Sequence, residues 1–137
     1  MVHSIDINYV RNLCDKAGFN TKLTEEGTLI LILEADEDYN YNVLVAFRVT
    51  EDNDGLIATG LSAMEISQKN IADALIRINK YNEDTLLLKA YLTEDGNVRV
   101  TRTEFVDKGV SEESLARFVE LFPPLVWDFY KENFNDF

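Results

Sequence analysis

The sequence holds one histidine, His3, and one cysteine, Cys14, so two kinds of site are ruled out at once. A zinc centre built on two histidines or on a thiolate cage lacks ligands, and no intramolecular disulfide can form. A His-dependent triad would have to be assembled around residue 3, and no recognisable nucleophile motif partners it. His3 therefore reads as a surface residue. Cys14 falls on an apolar helical stripe, whereas a reactive thiolate needs neighbouring positive charge and access. It reads as a small buried hydrophobe.

The 25 carboxylates invite a calcium or a hydrolase reading. Asp52-Asn53-Asp54-Gly55 resembles the middle of an EF-hand loop, which needs an acid at its first position and a glutamate at its twelfth. Placing Gly55 sixth puts Thr50 first and Leu61 last, so the match fails. Asp36-Glu37-Asp38 offers three acids with neither a glycine nor a downstream ligand set. Both stretches read as solvated loops. Paired-carboxylate hydrolysis needs two acids at a set separation, and the spacing singles out no pair. Gly55 and Gly60 fall in a turn and a strand without the Lys-Ser/Thr of a phosphate loop. No catalytic residue, metal ligand or cofactor is expected.

Composition narrows the class further. At 137 residues and 15.7 kDa, against roughly 150 residues per domain, the chain is one domain, residues 1–137. With 46% hydrophobic residues it is too apolar for disorder, and no apolar run is long enough to span a bilayer. A net charge of −12 and a pI of 4.4 exclude nucleic acid as the main partner. Met1-Val2-His3-Ser4-Ile5-Asp6 lacks the basic and apolar regions of a secretory signal. No Asn-x-Ser/Thr sequon occurs, and a lone thiol suits a reducing compartment. We expect a cytoplasmic protein with no membrane partner.

The elements follow from periodicity. Ile7, Val10, Leu13, Cys14 and Ala17 form one helical stripe, with Ser4 as the expected cap and Gly18 as terminator. A strand is expected over Phe19–Leu23. Leu29-Ile30-Leu31-Ile32-Leu33 is apolar on both faces and reads as a central strand covered on both sides. Tyr41, Val43, Val45, Phe47 and Val49 then alternate with polar residues. A weaker strand follows from Leu56 to Met64, in which Gly60 predicts weakening or a bulge.

Ser67 is the expected cap of a second helix that buries Ile71, Ala74, Leu75 and Ile78 and ends near Tyr81-Asn82. Strands over Thr85–Thr93 and Val98–Val106 form a hairpin whose register can be decided. A two-residue turn would set Lys89 opposite Arg102 and Leu92 opposite Arg99; the first pair repels. A three-residue turn with Gly96 left-handed instead pairs Leu92 with Val98 and Ala90 with Val100. Ser111 caps the last helix, and Pro123-Pro124 predicts a kink or a junction within it. The reading is an α+β domain: three helices and a mostly antiparallel sheet of five or six strands, in the order α-β-β-β-(β)-α-β-β-α.

Two features ask for a neighbour. The last helix is rich in aromatics, and the two-sided strand Leu29–Leu33 needs a second cover that three helices are few to supply. Part of this surface is therefore expected to be a homodimer face or a groove for a hydrophobic segment. We expect Phe122, Trp127, Phe129 and Tyr130 to be contact anchors for a partner protein or a second copy, since aromatics dominate interfaces.

Ser67-Gln68-Lys69, Ile78-Asn79-Lys80-Tyr81-Asn82, Glu94-Asp95-Gly96 and Val110-Ser111-Glu112-Glu113 resemble the YbjN family of bacterial sensory transduction regulators, over about Thr21 to Asn133. The resemblance implies a fold like that of the type III secretion chaperones, a homodimer, and a non-enzymatic role in binding other proteins. It transfers no functional residues. The leading expectation is a chaperone-like or regulatory adaptor that binds an unidentified protein. A second is an acidic inhibitor or antitoxin-like protein that presents residues 34–54 to a basic partner, because residues 23–66 hold ten acids against Arg48 alone. A third is an enzyme of unrecognised type.

Overall fold

Residues 2–5 are extended before the first helix begins: Val2 bridges Val110, and Ile5 N donates to Asn53 O at 2.9 Å. The structure, a computed structural model, describes residues 1–137. Because the chain is held straight up to Ile5, helix α1 (Ile7–Lys16) is capped by Asp6 rather than Ser4. Asp6 accepts from Tyr9 N at 2.8 Å, satisfying one of the amides a helix start leaves free. At the other end Gly18 is left-handed (φ 82°) and Phe19 N donates to Cys14 O, which closes the helix. That tie also consumes the start of the expected first strand, and β1 is only Lys22–Leu23.

Strands β2 (Leu29–Leu33), β3 (Val43–Val49) and β4 (Gly55–Ser62) follow as an antiparallel meander. Helix α2 (Ile71–Asp84) precedes the hairpin of β5 (Lys89–Leu92) and β6 (Val98–Phe105), and α3 (Glu112–Phe134) ends the chain. The six strands form one antiparallel sheet in the order β1-β2-β3-β4-β6-β5. The hairpin takes the three-residue register: Leu92 pairs with Val98, Ala90 with Val100 and Tyr91 with Arg99, and Gly96 is left-handed (φ 83°).

All three helices pack on one face of the sheet. That face presents Leu29, Leu31, Val43, Val45, Phe47, Leu56, Ala58, Val98 and Val100, all buried. Phe122 of α3 meets Phe47 with ring centroids 5.8 Å apart, and Tyr130 donates to Val98 O. Gly60 makes no bulge in β4; it pairs in register with Val45 and Val100. A Cβ there would lie 2.4 Å from Val126 Cγ1, so glycine marks the place where α3 lies against the strand.

Two helices depart from expectation. Ser67 makes no side-chain cap, because a 3-10 turn (Gln68–Asn70) intervenes before α2. Of the four residues expected on its buried face, Ala74 and Ile78 are buried, whereas Ile71 is half-buried and Leu75 stands out in solvent. Helix α2 sits at the sheet's margin over β5 and against the last turn of α3, so only a narrow stripe is covered. Helix α3 continues unbroken from Glu112 to Phe134 across Pro123-Pro124, so the pair does not divide it into two helices. A proline inside a helix costs about 3 kcal/mol. The apolar face on both sides of the pair stays in one phase, Val119, Phe122, Val126, Phe129 and Tyr130, all buried, and its packing holds the two halves together. Ser111 caps α3 as expected, accepting from Ser114 N at 3.1 Å.

Both edges of the sheet are blunted. β1 has two residues. On the other side Asn82 of α2 reaches Ala90 twice, donating to its carbonyl and accepting from its amide, each at 2.9 Å. The amide side chain stands where the next strand would hydrogen-bond, which blocks edge pairing.

Candidate functional site

The second face of the sheet is bare. Its side chains are those between the buried alternants, and no side chain on it is buried. The strand Leu29–Leu33 makes this plain: Leu29 and Leu31 are enclosed, while Ile32 is 48% exposed and Ile30 half-covered. The double cover expected for this strand is therefore absent within the chain, because all three helices went to the other side.

The register arranges the open face in rows across the strands. Ile32, Leu44, Leu61, Arg99 and Tyr91 lie side by side, from β2 to β5. The next row is Lys22, Ile30, Ala46, Thr59, Thr101 and Lys89, which crosses all six strands. Beyond it come Arg48, Ile57 and Thr103, and then Phe105, 59% exposed at the end of β6. The middle row is small at its centre (Ala46, Thr59, Thr101) and flanked by the larger Leu44, Leu61, Arg48 and Ile57, which makes it a shallow trough with a lysine at each end. Apolar patches on a sheet face of this kind are often functional.

The charges there run against the rest of the molecule. The strand positions of the open face carry Lys22, Arg48, Lys89 and Arg99 and no acid, in a chain of net charge −12. None of the four takes part in the ion pairs of the fold, which belong to Arg77, Arg102 and Lys131. Arg99 also has a buried Nε with no hydrogen-bond acceptor.

The residues expected to be anchors lie on the helix side. Phe122, Phe129 and Tyr130 are enclosed in the core, at most 2% exposed, and have no surface to offer a partner. Helical phase placed them correctly on an apolar face; that face is satisfied by the chain's own sheet. Trp127 is half-buried, edge-on to Tyr39 at 5.7 Å, and keeps one side open beside Phe19 and Leu33. The hydrophobic run itself carried the signal for the other face: Ile30 and Ile32 pointed to a surface whose cover three helices were few to supply.

His3 and Cys14 lie in settings that do not activate them. His3 is exposed and its Nδ1 approaches Asp107 O at 3.3 Å. Burial pushes the Cys14 thiol up to about 11, with the nearby Asp15 charge adding to the shift, the opposite of what a nucleophile needs. Burial likewise pushes Tyr39 up to about 12, against the hydrogen bond it shares with Ser62. No three of the His, Cys, Asp and Glu side chains gather closely enough to hold a metal ion. No helix is long and apolar enough to cross a membrane.

Residues 6–133 match the family described as YbjN, "Putative bacterial sensory transduction regulator". The chain belongs to the YbjN family. Among solved structures it is similar to YbjN of E. coli, described as "a putative transcription regulator", with a TM-score of 0.72 and 15% identity over 93% of this chain and 90% of that one. An uncharacterised protein from Methanothermobacter thermautotrophicus covers 94% of this chain and 99% of its own at 13% identity, with a TM-score of 0.48. No curated protein matches. The likeness to E. coli YbjN extends to the α+β fold, with its three helices and antiparallel sheet.

Proposed function

We propose that this YbjN-family chain is a regulatory protein-binding module that works by contact, holding part of another protein against the open face of its sheet. The observation that carries the reading is that face: Ile32 exposed and Ile30, Leu44, Ile57, Leu61 and Tyr91 only half-covered, in a domain whose helices are all spent on the other side. The blunted edges support it, because a partner that cannot add a strand is directed to the face. Aliphatic side chains on β2, β3 and β4 supply apolar contact, Thr59 and Thr101 supply hydroxyls between them, and Lys22 and Lys89 stand at the two ends, the mix of apolar and polar groups that interfaces commonly have.

Affinity capture from the native lysate, read by mass spectrometry, tests this with two variants. Leu44→Glu places a charge in the middle of the trough and is expected to lose a partner that the wild type retains in high salt. The acidic-inhibitor reading makes the opposite prediction, salt-sensitive capture lost on neutralising Asp36, Glu37 and Asp38. Trp127→Lys is expected to leave capture intact, since its side chain is on the helix side. Pairing of two copies, implied by the family resemblance, is a separate proposal. Light scattering at high micromolar concentration supports it with a mass of twice 15.7 kDa and removes it with a single one.

A further inference from the structure

Resting on that binding reading, we infer that the occupant of the open face is an acidic segment with apolar anchors, laid across the strands so that its carboxylates meet Lys22 and Lys89 at the two ends and Arg48 and Arg99 along the flanks. The trough crosses all six strands. At about 4.8 Å between strands it is about 24 Å long, the length of about 16 helical residues. Its floor is apolar or hydroxylated, and each charged group on its strand positions is a cation without an ion-pair partner in the fold. Arg99 carries in addition a donor with no acceptor, which an incoming carboxylate supplies.

The net charge of −12 does not cancel this attraction. Charges more than about 8 Å away are largely screened at physiological ionic strength, so the local cations set the field over the trough. The turns at the strand ends bear Glu25, Glu26, Glu51, Asp52, Glu94 and Asp95. They repel acidic chains from the strand ends, whereas the charged strand positions between them are all cationic. A second copy fits poorly: face to face it brings four cations against four, and like charges across an interface are costly. Its contact would also be small, because a sheet face of this size covers about 500 Å² per copy against the roughly 800 Å² of a standard interface.

Three labelled sixteen-residue amphipathic peptides test the inference by fluorescence anisotropy on the full chain. Each has the same leucine face, with Glu, Gln or Lys at every other position. The Glu peptide is expected to bind at least tenfold tighter than the Gln peptide, with the difference shrinking as salt rises, and the Lys peptide is expected not to bind. The double variant Lys22→Glu, Lys89→Glu, at two exposed positions, is expected to erase the Glu preference while leaving thermal unfolding unchanged. Equal binding of the Glu and Gln peptides, abolished by Leu44→Glu, overturns the acidic partner and leaves the face as a binding site. Binding that ignores Leu44→Glu overturns both. No binding of the Glu peptide, tighter binding of the Lys peptide, or a dimer dissolved by Leu44→Glu overturns the acidic partner.

Discussion

Gly60 shows how much one missing methyl group can decide. Adding a Cβ places it 2.4 Å from Val126 Cγ1 and 2.9 Å from Val100 Cγ2, so α3 must lift from the sheet or both valines must shift. Gly60→Ala is expected to cost about 1–3 kcal/mol in urea unfolding; an unchanged midpoint would show that α3 is not seated as described. Arg77 joins α2 to the end of α3, donating to Asn133 O at 2.7 Å and forming ion pairs with Asp136 and Asp73. Its hydrogen bonds hold the Asp136 carboxyl below its usual value. A depressed carboxylate stabilises the fold above its unfolded pKa, and that contribution is lost as pH falls through the lower, folded value. The stability lost by Arg77→Met is therefore expected to be larger at neutral pH than in acid, where only the bond to Asn133 O remains to be lost, and the pH-dependent part is expected to be small because the pair is exposed. Thermal unfolding at a series of pH values measures it. Cys14, enclosed and with its thiol raised to about 11, is expected to react with a thiol reagent only at the rate of unfolding. Fast labelling of the native protein at pH 8 would contradict its burial.

Among the elements, the most testable oddities are the proline pair and the guarded strand. Pro124 is exposed on α3, where it removes a helical hydrogen bond, whereas Pro123 is buried. Pro124→Ala is expected to raise stability by about 1–3 kcal/mol, since proline is disfavoured by about 3 kcal/mol in a helix interior. A destabilised Pro124→Ala would mean that the pair sets a bend the fold requires. Asn82→Ala frees both backbone groups of Ala90 at the edge of the sheet. The expected results are a loss of about 1–2 kcal/mol and, at raised concentration, edge-to-edge association in light scattering.

At the scale of the whole molecule, helices on one side and an uncovered sheet on the other divide the chain into a core that holds the fold and a face that no helix covers. Substitutions on the two sides should then separate. Leu44→Glu and Ile57→Glu fall on half-covered positions and are expected to shift thermal unfolding little. Phe122→Ala empties an enclosed site beside Phe47 and is expected to cost about 3–5 kcal/mol. Comparable losses at the two kinds of position would mean that the second face is part of the core.

Local pattern alone determined the helical stripe through Val10, Leu13 and Cys14, the left-handed Gly96, the register that sets Leu92 against Val98, and the Ser111 cap. Each of these rests on forces that act within a few residues or across one turn, where spacing and side-chain type suffice. The family resemblance was carried by the same short motifs. Tertiary structure decided which face of Leu29–Leu33 is sheltered, that the aromatics of α3 serve its own sheet, and that Gly60 marks a helix contact. A hydrophobic run states how much surface needs cover but not which distant element supplies it, because burial depends on where three helices, far apart in sequence, come to rest. Trp127 and Phe122 look alike as letters, and only the seating of α3 on β3 and β4 separates the half-open ring from the enclosed one.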